Sequence, residues 1–156
     1  MPEVDIQVLE KKFYLKKTLL KHFCKAVVKA AWGDEYEPAE VSLVLCDDEF
    51  IRKLNRDYRG KNKATNVLSF EGGHEPAEGQ PWIAGDIVIS YQTVLREAKE
   101  QKKSFASHFA HMMVHGVLHL LGEDHLTEKQ AKRMESQEIE IMKQLGYRNP
   151  YDQIDA

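Results

Sequence analysis

Val4, Ile6 and Val8 alternate with Asp5 and Gln7, the two-residue period of a half-buried strand. From Lys16 to Trp32 the apolar positions Leu19, Leu20, Phe23, Val27, Val28 and Ala31 recur every three or four residues with lysines opposite. That spacing predicts an amphipathic helix, closed by Gly33. Val41 to Cys46 is a β-branched, apolar run and predicts a second strand, after which Asp47 or Asp48 can cap a helix through Phe50, Ile51 and Leu54. Asn66 to Phe70 and Asp86 to Ser90 are the next two strand candidates. Between them Gly72, Gly73, Pro76, Gly79 and Pro81 mark an irregular loop expected to be mobile. Ser90 can cap a helix carrying Val94, Leu95 and Ala98, and Ser104 can cap the next. Thr127 with Gln130 makes a capping box for a last helix, whose core stripe is Ala131, Met134, Ile139, Met142 and Leu145, ended by Gly146.

Those elements fit an α+β unit: a small four-stranded mixed sheet packed with about five helices. A length of 156 residues, 42% of them hydrophobic, supports a single domain over 1–156, without repeat or linker. No apolar run is long enough for a leader or a membrane span, so a cytoplasmic protein with no membrane partner is expected. Cys24 and Cys46 stand far apart without a CxxC spacing, which suits buried thiols in a reducing compartment. A net charge of -3 argues against indiscriminate coating of nucleic acid. The charge is uneven, however: Arg52, Lys53, Arg56, Arg59, Lys61 and Lys63 cluster with one acid, Asp57, among them. Alone, such a stretch reads as a solvated face; beside a metal ion it becomes a seat for a phosphate backbone.

The run from His115 to His125 supplies that ion's candidate ligands. His115 and His119 are four apart, so on a helix they stand about 6 Å apart along one face and their imidazoles can converge. Gly122 then ends the helix and lets His125 swing back to the same centre. Three imidazoles leave a tetrahedral zinc with one open position, where a bound water becomes hydroxide near neutral pH. His108 and His111 share the helix face, but His111 and His119 are about 12 Å apart along the axis, too far to share one ion. The glycine turn favours His115 with His119. His111 is then expected on the helix face or behind the ligands, and His108 exposed. Zinc peptidases of the His-Glu-x-x-His type place their water-activating glutamate where this chain has Gly116, which disfavours a peptide or amide hydrolase. Asp86, Glu123 and Asp124 are the remaining candidate bases, and Asp124 could equally hold a ligand's N–H from behind.

These residues resemble the YbeY family of bacterial endoribonucleases. Its signature His-Gly-x-Leu-His-Leu-x-Gly-x-Asp-His is complete from His115 to His125, and Tyr58-Arg59-Gly60-Lys61, Thr65 to Phe70 and Gly85 to Ile89 match further family blocks. Ala64 departs, standing where the family often has proline. The resemblance implies a zinc-dependent endoribonuclease specific for single strands, acting in ribosomal RNA maturation at the 3′ end of the small-subunit RNA and in ribosome quality control. It implies one zinc on His115, His119 and His125, with His115 and Arg59 at the reacting centre and Arg59 and Lys61 on the substrate. Partners implied are the small ribosomal subunit, a ribosomal protein and an assembly GTPase. A guanidinium and a divalent ion on either side of a phosphodiester would stabilise its growing charge, whether hydroxide attacks phosphorus or serves as base for the 2′-hydroxyl. Phe70 and Trp82 are candidates to stack on bases, with core packing favoured for Phe70. A rival reading, a noncatalytic assembly factor with structural zinc, needs a fourth protein ligand, and neither cysteine is near the motif in sequence.

Overall fold

The computed structural model describes residues 2–13, 17–72, 78–79 and 82–152. In chain order these form β1 (Glu3–Val8), a 3-10 turn at Lys11–Phe13, α1 (Lys17–Trp32), β2 (Ala39–Cys46), α2 (Asp48–Arg59), β3 (Val67–Glu71), β4 (Trp82–Ser90), α3 (Tyr91–Glu100), α4 (Phe105–Leu120) and α5 (Glu128–Gln144). The sheet runs β1-β2-β4-β3, with β1, β2 and β4 parallel and β3 antiparallel at the edge. The expected single α+β domain with a mixed four-stranded sheet is what is found.

Alternation along the strands decides the layers. Val41, Leu43 and Leu45 of β2, with Ile87 and Ile89 of β4, face the main core, where α1 and α4 contribute Val27, Val28, Met113 and Val117. Cys46, Leu68 and Val88 point the other way and are covered by Ile51 of α2. Helix α4 is central: from His108 to Leu120, every residue is buried except His115 and His119. It lies tightly on the sheet because Gly116 has no side chain; a Cβ there would come within 2.7 Å of Ile87 Cγ2. Ser69 Oγ of β3 donates to the Gly116 carbonyl at 3.1 Å, tying the edge strand to the same helix turn.

The caps follow the sequence with one exception. Asp47 accepts from the Phe50 N–H, Ser104 from Ser107, and Thr127 and Gln130 form the full capping box. Ser90 occupies the cap position of α3, but its hydroxyl donates to Asp48 Oδ1 at 2.6 Å instead of capping. Reaching that carboxylate on α2 turns the hydroxyl away from the first turn of α3. Strand β4 starts at Trp82, four residues before the Asp86 expected, because those residues pair with β2 across a register shift that local pattern does not reveal. In α5 the buried positions are Met134, Glu138 and Met142, while Ile139 is only half-buried. The stretch expected to be a mobile loop lies, at 73–77 and 80–81, outside the described residues. No described helix is long and apolar enough to cross a membrane.

Candidate metal centre

At the end of α4 the Gly122 N–H bonds to the His119 carbonyl at 3.0 Å and the Glu123 N–H to the Leu118 carbonyl at 2.9 Å. This paired closure needs a left-handed residue, and Gly122 supplies it with φ of +95°. The chain reverses, Asp124 Oδ1 accepts the His125 N–H at 2.8 Å, and the third imidazole returns over the first two. Ligand nitrogens of His115, His119 and His125 all lie within 4.8 Å of one another. His115 Nε2 and His119 Nε2 are 3.1 Å apart. Two nitrogens on one tetrahedral ion, each at ~2.0 to 2.1 Å, stand about 3.3 Å apart, so the donor set fits a divalent metal ion.

Neighbouring groups orient the rings. His115 Nδ1 donates to Glu138 Oε1 at 2.7 Å, leaving the Nε2 lone pair free toward His119. Burial first, then the nearby His115 and His125, push the pKa of His119 down, toward the neutral form that a ligand must have. Glu138 is fully buried, which by itself would raise its pKa, but donors from His111, His115 and Tyr151 outweigh burial and bring it down to about 2. Among the described residues no cysteine joins the cluster. Cys24 and Cys46 are core residues whose thiols burial pushes up to about 12, so neither supplies a fourth ligand to the cluster.

The three histidines open onto a cleft of about 690 Å³ whose other walls are the end of α2, strand β3 and the turn after α4. Arg59 lines it. In the basic stretch Arg52 pairs with Glu49 at 2.7 Å and Arg56 with Asp57 at 2.9 Å, whereas Arg59 has no ion pair among the described residues. Arg52 and Arg56 are thus paired on the solvated face, while Arg59, also exposed, lines the cleft. Lys61 is exposed just beyond α2 and is not in the cleft wall. Of the candidate bases, Glu123 and Asp124 line the cleft, while Asp86 is exposed on β4 away from it. Phe70 is half-buried in the cleft wall, edge-on to Tyr58 at 5.4 Å. Trp82 packs edge-on to Trp32 in the body of the protein instead.

Of the other two helix histidines, His111 is placed as expected and His108 is not. His108 is buried, not exposed, and its Nε2 lies 2.8 Å from Glu97 Oε1, a partner on α3. His111 sits behind the ligands, with Nε2 3.1 Å from Glu138 Oε1. Sequence reasoning missed Glu138 and Tyr151, although one signal was present: Glu138 stands four residues from both Met134 and Met142, a carboxylate in the middle of an apolar stripe.

A family model, Endoribonuclease YbeY, matches residues 5–146. The chain belongs to the YbeY endoribonuclease family. The protein named Endoribonuclease YbeY from Neisseria meningitidis serogroup B is 47% identical over 129 residues, covering 79% of this chain and 76% of its own. Its Magnetococcus marinus namesake is 48% identical over 130 residues, covering 78% and 88%. That of Rhizobium meliloti is 41% identical over 162 residues, covering 97% and 96%. A Thermotoga maritima protein solved in solution shares the fold, with a TM-score of 0.52 at 22% identity over 97% of this chain and 99% of its own. In this YbeY member three imidazoles and the Arg59 guanidinium, which has no ion pair among the described residues, line one cleft.

Proposed function

We propose that the protein is a zinc-dependent endoribonuclease of the cytoplasm that cuts single-stranded RNA in ribosomal RNA maturation, at the 3′ end of the small-subunit RNA, and in ribosome quality control. The observation that carries this reading is the unpaired Arg59 in the same cleft as the three converging imidazoles. The names of the family relatives supply the reaction class. The ion, held by His115, His119 and His125, would supply Lewis acidity at the phosphodiester. Arg59 holds a non-bridging phosphate oxygen and offsets the charge that grows on it. Tyr58, on the cleft wall beside Arg59, offers a ring face to an unpaired base, which a duplex would not present. Lys61 meets the strand further along its backbone. Glu71, Glu123 and Asp124 are carboxylates of the cleft lining, and Glu123 and Asp124 are the proposed groups to move a proton there. The small ribosomal subunit, a ribosomal protein and an assembly GTPase are the partners that fit this role.

Digesting a ribosomal RNA precursor with zinc-loaded protein tests the reading, and the new ends identify the nucleophile. A cyclic phosphate marks attack by the 2′-hydroxyl, and a 5′-phosphate marks attack by water. Arg59→Glu is expected to abolish cutting while zinc stays near one per chain, and His119→Ala to lose both. Unchanged cutting by Arg59→Glu would remove Arg59 from the site, and casein cleavage without RNA cleavage would favour the peptidase.

A further inference from the structure

We propose that Glu138 is a positioning residue of the metal centre, and that Tyr151 aims its carboxylate. This rests on the reading of the histidine cluster as a metal site. Glu138 sits on α5 between Met134 and Met142, fully buried in an otherwise apolar stripe. A buried carboxylate is expensive to desolvate, so its presence there calls for donors in good geometry. It has three. Oε1 accepts from His115 Nδ1 at 2.7 Å and from His111 Nε2 at 3.1 Å, and Oε2 accepts from the Tyr151 hydroxyl.

The direction of these bonds matters more than their number. Because His115 donates through Nδ1, its proton cannot sit on Nε2, the atom that faces His119 Nε2 at 3.1 Å. Glu138 thus selects the tautomer able to bind an ion and fixes the ring's rotation. A carboxylate held through one oxygen can swing about its own bond; the Tyr151 hydroxyl on the second oxygen removes that freedom. Tyr151 follows α5 in the C-terminal segment, and its ring stands edge-on to His111 at 5.4 Å, which sets the hydroxyl's approach. The segment after α5, absent from the cleft wall, is in this way part of the metal centre.

Zn2+ alone, titrated into the full chain against a chromophoric chelator, measures the effect. Glu138→Gln is expected to weaken Zn2+ binding about 10- to 100-fold. Glu138→Met, which leaves His111, His115 and Tyr151 without their shared acceptor, should lower the thermal midpoint of the metal-free protein and also bind Zn2+ as weakly. Tyr151→Phe, whose partly exposed ring poses little folding risk, should weaken binding by a smaller factor, and the Zn2+-induced rise in midpoint should shrink in the same order. A purely structural Glu138 would lower the midpoint with and without Zn2+ alike and leave the dissociation constant unmoved; a folded Gln or Met variant behaving so overturns the proposal. Unmoved binding in Tyr151→Phe overturns the tyrosine's part. If the unaltered chain takes up no Zn2+, the metal-centre reading beneath the proposal is overturned instead.

Discussion

Tyr58 is 70% exposed on the last turn of α2, an unusual place for so large an apolar ring unless something covers it in use. Among the described residues its one ring partner is the edge of Phe70, so removing it leaves no cavity. Stacking of an unpaired base on an aromatic ring contributes about 1 to 3 kcal/mol. Tyr58→Ala is therefore expected to raise KM for single-stranded RNA about tenfold, with kcat nearly unchanged and folding stability within about 0.5 kcal/mol. Steady-state kinetics with denaturant unfolding checks this, and an unmoved KM would sink it. At this scale the sequence was legible where the chemistry is local. His115, His119, Gly122 and His125 declare themselves within eleven residues. His108 and Glu138 do not, because each is explained by a partner on another helix, Glu97 and the His111–His115 pair, whose proximity only the packing creates.

Helix α4 shows how an element serves packing and chemistry together. Where peptidases of similar ligand spacing carry a glutamate, this helix presses Gly116 against Ile87, so that position faces the sheet and not the ion. Gly116→Ala gains helix propensity of up to about 1 kcal/mol. The added methyl, however, would meet a β-branched carbon at 2.7 Å, and overpacking of this kind costs about 1 to 3 kcal/mol. A net loss of about 1 to 2 kcal/mol is expected, with weaker metal uptake because the turn bearing His115 shifts; urea unfolding and zinc titration measure both. A more stable variant would contradict it. Periodicity showed this helix and its neighbours because their apolar stripes are local. It hid the first half of β4, where Trp82, Ile83 and Gly85 gain strand character only from pairing with β2 and, at Gly85, also with β3.

For the whole molecule, Glu138 joins α4, α5 and the C-terminal segment through one carboxylate. Its pKa is about 2 in the folded chain against an ordinary value of 4.5, so the unfolded chain takes up a proton first as pH falls. The stabilisation is complete above pH 4.5 and is lost as pH drops through about 2. Acid unfolding of the metal-free protein should steepen across that window, and Glu138→Gln should flatten the profile there; identical slopes would show that the carboxylate is not ionised by its donors.

Two of the three imidazoles stand on the one helix that the core surrounds almost completely. An ion bound there would hold the exposed His125 turn onto that helix and favour the native state: each tenfold excess over its dissociation constant would add about 1.4 kcal/mol to stability. Chelation and melting are consequently two views of one equilibrium, and the protein's heat tolerance should track the metal supply around it.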